Sequence, residues 1–289
     1  MHARRDEPSI PAWSRDQVGS PSAPELEAPY FDDILGAWVL SRHADVLAAF
    51  RASSLSLASP DKVSEPSNDS ARLKMRAETM EALSPAQLRA WREQITPEVL
   101  ALADSLPIEE PVDLMDGYAR PLCLSLAAVV TDISREEAKR LHEKARTVSA
   151  SAAEPHDAVL RANAKSASGE LRGCFHSGPE TLREAGFVAL SQTMPSILGN
   201  AWFALIKHPK EWSLLHQEPG LMEQAVEELL RYAGLVRTLS RTATVDMDLN
   251  GTLIRQGERI ILRIIAANRD HERFSKPNQL DLTRRDGGH

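Results

Sequence analysis

Apolar residues recur at three- and four-residue spacings through most of the first 236 positions, after which the pattern shortens to the alternation of strands. Helices are predicted from Ser70 to about Leu83, then behind Ser84-Pro85-Ala86-Gln87, and again behind Thr96-Pro97, where proline suits a first turn. Asp113 to Thr131 reads as a helix of small and aliphatic residues, and therefore as buried. Ser134-Arg135-Glu136-Glu137 is a capping box opening a helix to about Ala153, and His156 to about Cys174 is the next. Ser177-Gly178-Pro179-Glu180 is a stop and a start before a long helical pattern that runs to Lys207. Pro195 sits inside it, cannot donate to the carbonyl of Ser191, and should bend or open that turn. Pro209 to Gln217 makes a short helix that leads to another over Ala225–Tyr232.

The strand signals lie near the two ends. Gly36-Ala37-Trp38-Val39-Leu40 is a short strand, followed by Ser41 as cap of a helix with Val46, Leu47 and Phe50 as its apolar face. After residue 236 come strand-like segments from Arg237 to Ala243 and from Val245 to Leu249, an Asn250-Gly251 hairpin signal and a run to Ile254. An apolar strand from Arg259 to Ile265 completes the set. The polar stretch from Ser53 to Asn68, with Pro60 and Pro66, is a loop, and residues 1–30, with five prolines, form a mobile or loosely docked tail. Residues 31–289 then make a single domain, mainly α with a small β region, an α+β arrangement without internal repeats.

Composition narrows the function. With 289 residues and 42% hydrophobic content the chain can bury a substantial core, and a net charge of −7 argues against a nucleic-acid partner. The longest apolar stretches, such as Leu122 to Val130, fall short of the ~20 residues a membrane helix needs. The opening residues are not followed by an apolar core, so no signal peptide is expected, and two cysteines 51 positions apart suit a reducing, cytoplasmic setting.

The last third carries an ordered series of motifs: Glu228-x-x-Arg231, then Arg241-x-Ala243-x-x-Asp246, then Ala266-Ala267-Asn268-Arg269-Asp270 with Phe274, Pro277, Asp281, Arg284 and His289. In that order they closely resemble the cytochromes P450, the haem-thiolate monooxygenases. The resemblance implies the fold of that family. It also implies that the chain stops before the Gly-rich loop whose cysteine binds iron, and so lacks the haem-ligand loop and the elements after it. Glu228 and Arg231 match the family's structural pair, which ties its helix to the segment beyond the sheet. Arg76 and Arg241 match arginines that hold the haem propionates, and Arg72 stands where the family usually has histidine. Guanidinium suits that role because it binds a carboxylate through two charged hydrogen bonds. An exposed, solvated helix face is the plainer account of Arg72 and Arg76.

Ala189-Leu190-Ser191-Gln192-Thr193 aligns with the family's Ala-Gly-x-(Asp/Glu)-Thr, in a register set by Gly199-Asn200 and His208-Pro209. The resemblance places Thr193 as the oxygen-binding threonine and Gln192 at the position of the acid. Leu190 replaces the glycine, and the Gln192 amide cannot relay a proton as a carboxylate does. The alternative is that Thr193 is a helix residue bonded back to a carbonyl. Neither Cys123 nor Cys174 has the Gly-rich surroundings of an iron-binding thiolate, His289 precedes the ligand loop in the family, and His271-Glu272 lacks the second histidine of a zinc motif. No metal ligand is therefore assigned.

The expected activity is that of a haem b monooxygenase acting on a small apolar substrate with a ferredoxin-type redox partner. Without the thiolate the chain is expected to be inactive alone, a pseudoenzyme of that line. The alternatives are a haem-free accessory or partner-binding relative, and a truncated remnant.

Overall fold

The computed structural model describes residues 27–56, 69–153, 157–176 and 180–286. Its contacts cluster in two units, Asn68–Gly199 and, taken together, Met1–Ser67 with Asn200–His289. The mainly helical architecture with a small sheet is the one the sequence implies.

In the unit that joins the two ends of the chain, the sheet runs β1 (Tyr30–Asp32), β2 (Ala37–Leu40), β7 (Arg259–Arg263), β4 (Thr238–Ala243), β3 (Leu55–Ser56). The β2–β7 ladder is parallel, with Ala37 opposite Arg259 and Leu40 opposite Leu262, while its neighbours are antiparallel. Leu40, Leu55, Ile260 and Leu262 form a dry core with Val46 and Ala49 of helix α1 (His43–Arg51). Side-chain bonds hold the N-terminal elements to the last third: among them, Trp38 Nε1 donates to Glu258 at 2.7 Å, and Asn250 Nδ2 to Asp45 at 2.6 Å. Asn250 and Gly251 both take positive φ, as a two-residue turn between β5 (Met247–Leu249) and β6 (Thr252–Ile254) requires.

Several expectations are corrected here. Ser41 does not cap α1, because its hydroxyl is bonded to the backbone of Glu27; the His43 N–H is taken instead by Asp270, at 2.8 Å. The buried face of α1 is Asp45, Val46 and Ala49, with Leu47 and Phe50 exposed. Strand β7 ends at Arg263 and turns into a short helix, α11 (Ile264–Ala267). Strands β1 and β3 had too few residues to leave a periodic signal. Residues 1–26 of the expected tail lie outside the described residues.

The other unit holds α2 (Asp69–Ala82), α3 (Pro85–Asp104), α4 (Arg120–Thr131), α5 (Arg135–Ala153), α6 (Ala158–Cys174) and α7 (Glu184–Val188). Alanines 127, 128, 138 and 145 let these helices approach closely around Leu141, Leu171 and Phe187. Ser134 and Glu137 form the expected capping box of α5, with bonds of 3.0 and 3.2 Å, and Asp157 caps α6. Helix α3 continues through Pro97 rather than restarting there. The carbonyl that loses its donor belongs to exposed Glu93, on the solvent side of the helix, and Thr96 Oγ1 serves the Arg92 carbonyl. The Asp113–Thr131 helix opens as a π-turn over Met115–Ala119.

The long pattern before Lys207 is broken as proline chemistry requires. Helix α7 passes into a π-turn, Ala189–Thr193, and then into α8 (Met194–Lys207). The wide turn includes Ser191, whose carbonyl Pro195 cannot serve. Helix α9 (Pro209–Gln217) leads to α10 (Met222–Ala233), which ends at Gly234. A Cβ at Gly234 would lie 2.3 Å from the carbonyl oxygen of Leu230, so only glycine allows the chain to leave α10 this sharply for β4. Gly234→Ala should therefore cost about 1–3 kcal/mol in denaturant unfolding; a midpoint equal to the wild type would contradict this close approach.

Candidate functional site

The chemistry-bearing residues fall into a buried ion network, a pair of arginines beside the sheet, and a widened helical turn. The network belongs to α10. Arg231 donates from Nε to Glu228 Oε2 at 2.7 Å and from Nη2 to Oε1 at 2.8 Å, a two-pronged pair with both side chains only 2% exposed. Its Nη1 donates to the carbonyls of Asn268 and Pro277, and its guanidinium stacks on Phe274. Glu228 also accepts from the Asp281 N–H and from Arg284 Nε, each at 3.0 Å. The donors and acceptors that the pair leaves over thus find partners in the segment after the sheet, which is the condition for burying such charges.

Arg241 sits opposite Ile260 on β4 and is half-buried. Its guanidinium lies 5.5 Å from the Phe50 ring, and its Nη1 donates to the Ser240 carbonyl at 2.9 Å. Burial pushes its pKa below the usual arginine value. Arg237, just before the strand, has a buried Nη2 that meets no acceptor. Among the described residues neither arginine forms an ion pair. Of their motif neighbours, Ala243 is core, and Asp246 Oδ1 accepts the Gln256 N–H at 2.8 Å, clasping the β5–β6 hairpin.

The helical unit carries the remaining candidates. Arg76 is exposed on α2 and forms no ion pair among the described residues, and the Arg72 side chain lies outside them. In the π-turn, Ser191 Oγ donates back to the Phe187 carbonyl at 2.7 Å, whereas no hydrogen bond involves the half-buried Thr193 hydroxyl among the described residues. Gln192 Nε2 lies 3.2 Å from His142 Nδ1 on α5, and Leu190 packs against the helical core. His142 had no sequence signal, since it lies 50 positions from Gln192.

Haem fits these residues only on its propionate side. A half-buried, desolvated arginine without an acid fits a propionate. The iron side does not fit: Cys123 is 1% exposed inside α4 with its thiol pushed up to about 12 by burial, and Cys174 Sγ lies 3.3 Å from the Glu170 carbonyl on an exposed helix end. Among the described residues no group of three or more His, Cys, Asp or Glu could hold a metal ion, and His289 lies outside them. Nor is any described helix long and apolar enough to cross a membrane.

Comparison with known proteins matches residues 205–286 to the family model described as Cytochrome P450. The chain is similar to nocardicin C N-oxygenase of Nocardia uniformis subsp. tsuyamanensis, 28% identical over 91% of this chain and 76% of that protein. A segment is 42% identical to cytochrome P450 CYP107DY1 of Priestia megaterium, covering 34% of this chain and 24% of that one. The matched segment thus spans about a quarter of the length of that relative. The fold is similar to that of P450BioI in complex with hexadec-9Z-enoic acid ligated acyl carrier protein, with TM-score 0.76, 21% identity, and coverage of 88% of this chain and 77% of that one.

Two outcomes follow from this geometry. Arg231→Ala strands Glu228 without its main counter-ion and should cost about 3–5 kcal/mol, read as loss of soluble, cooperatively melting protein; a variant that melts like the wild type would contradict the network. Cys123 should resist iodoacetamide at pH 8 while Cys174 reacts, because the raised pKa keeps the buried thiol protonated. Denaturation should expose both thiols, and fast labelling of two thiols in folded protein would contradict the burial.

Proposed function

Because this chain belongs to the cytochrome P450 family, we propose that it carries the haem-facing scaffold of a haem-thiolate monooxygenase, the class that inserts one oxygen atom into a small apolar substrate. The observation that carries the reading is Arg241, half-buried against Phe50 with its charge unmatched by any acid among the described residues. In this reading Arg241 holds one propionate of haem b. The planar guanidinium supplies two parallel donors at the fixed spacing of a carboxylate.

Haem, when bound, supplies the redox chemistry of oxygen insertion, with electrons from a ferredoxin-type partner. The role of Thr193 is to hold and pass a proton through its hydroxyl, which is not committed to a backbone carbonyl. Gln192 positions rather than titrates, because an amide has no proton to give at neutral pH. It is engaged with His142 in the structure. Leu190 fills space against the helical core and leaves less room beside the turn.

Neither cysteine is proposed as the iron ligand. A thiolate needs a low pKa and an exposed, positioned sulfur, and Cys123 has the reverse of both. Residues 1–289 by themselves are therefore proposed to be inactive in oxygen insertion.

The test is a haem titration of the purified chain followed by reduction under carbon monoxide. Haem should bind without the shifted Soret band of a thiolate ligand, and Arg241→Gln should weaken uptake by about 10–100-fold, the worth of a charged hydrogen-bond pair. A thiolate-type band would overturn the exclusion of both cysteines, and unchanged uptake by Arg241→Gln would remove its propionate role. A folded chain that takes up no haem would favour the haem-free, partner-binding reading.

A further inference from the structure

The π-turn over Ala189–Thr193 has no titratable residue of its own, yet one reaches it from α5. Gln192 Nε2 lies 3.2 Å from His142 Nδ1, 3.3 Å from Ser191 Oγ and 3.5 Å from the His142 carbonyl. Two of these three neighbours can only accept. The carbonyl has no proton, and the Ser191 hydroxyl has already donated its own to the Phe187 carbonyl at 2.7 Å. The Gln192 amide must therefore present its NH2 group to this corner, and not its oxygen. His142 Nδ1, facing an N–H, must accept, so the ring is neutral with its proton on Nε2.

A second proton on His142 would set an Nδ1–H against that NH2 group. Turning the amide over does not relieve the clash, because its oxygen would then face the carbonyl and the lone pairs of Ser191. The imidazolium therefore expels Gln192 from the corner. The next residue along the turn is Thr193, whose hydroxyl has no hydrogen bond among the described residues.

The other ionisable groups on the elements packed against α5 hydrogen-bond to neither side chain among the described residues. On α5 itself, Lys139 and Arg146 stand one turn to either side of His142, and Arg146 is paired with Glu143 at 2.6 Å. Helix α4 brings Arg120, paired with Asp116, and buried Cys123, while α7 brings Glu184, paired with Arg172. From α6 come Arg161, Lys165, Glu170, Arg172 and Cys174, with Glu170 paired to Lys144. These charges bear on the pH at which His142 gains its proton, and not on which way the amide faces.

We propose that His142 is a positioning residue for the π-turn. Neutral, it holds the Gln192 side chain against α5; protonated, it frees that side chain beside the Thr193 hydroxyl. The use of this exchange rests on the role proposed above for Thr193, whereas the exchange itself does not and is tested without haem.

Nitrogen-15 NMR of the haem-free full chain follows the Gln192 side-chain amide and the His142 ring from about pH 8 to about pH 5, the range in which imidazole gains its proton. At the upper end Nδ1 should read as the bare ring nitrogen. As the pH falls, the Gln192 amide signals should shift with the same midpoint as the ring. His142→Asn keeps an acceptor near the place of Nδ1 but cannot titrate, so its Gln192 signals should stay flat with pH. The proposal is overturned by a neutral ring with its proton on Nδ1, or by a ring still neutral at the lower end. Gln192 signals that hold still while His142 titrates, or a shift that survives in His142→Asn, overturn it equally. Should His142→Asn not fold, the titration of the unaltered chain decides. A coupled shift in a chain that takes up no haem still supports the exchange, so the two readings fail separately.

Discussion

A guanidinium taken out of water must find an anion, and this one requirement organises the unit that joins the chain's two ends. For Arg231 the anion is Glu228, one turn back on α10, but that pair alone leaves donors and lone pairs over. They are used by Asn268, Pro277, Asp281 and Arg284, all in the segment after β7. A pair of this kind contributes little net stability compared with apolar residues of the same shape. What it does is make one arrangement of the last segment far cheaper than any other, because a misplaced segment leaves two buried charges without solvation. Leu280 and Leu282, carried on the same segment, then pack beside Leu205 and Leu229.

The same requirement, left unmet, marks the strand that follows. Gly234 allows α10 to end in a sharp exit, and the chain enters β4 with Arg237 and Arg241 on one side. Internal acids satisfy the arginines of the network, whereas among the described residues no acid pairs with these two. The π-turn in the helical unit is a different kind of device. Pro195 removes one donor, the turn widens, and among the described residues the Thr193 hydroxyl has no partner while Ser191 takes the back-bond. The unmatched arginines and the uncommitted hydroxyl therefore rest on separate elements with separate physical causes.

Much of this was legible from residues alone. Long helices with caps written in adjacent residues, such as Ser134 with Glu137, can be read because the partners are three positions apart. So can the Asn250-Gly251 turn and the opening of the helix before Pro195. Partnerships across long separations could not be read. The donor at the start of α1 is satisfied by Asp270, 227 positions away, so Ser41 looked like a cap and was not one. Pro97 looked like a helix start because sequence does not reveal that its turn faces water. In the site, Arg241 was found by its motif. Arg237 was missed because no short-range pattern distinguishes an arginine without an acid from one with a distant partner.

The central claim is that Arg231 is neutralised internally while Arg241 awaits a carboxylate from outside the protein. Proton exchange at the arginine Nε–H groups, followed by nitrogen-15 NMR before and after haem is added, addresses it most directly. The account predicts slow exchange at Arg231 throughout, and at Arg241 fast exchange that becomes slow on addition. Slow exchange at Arg241 in the protein alone, or no change when haem binds, would contradict it.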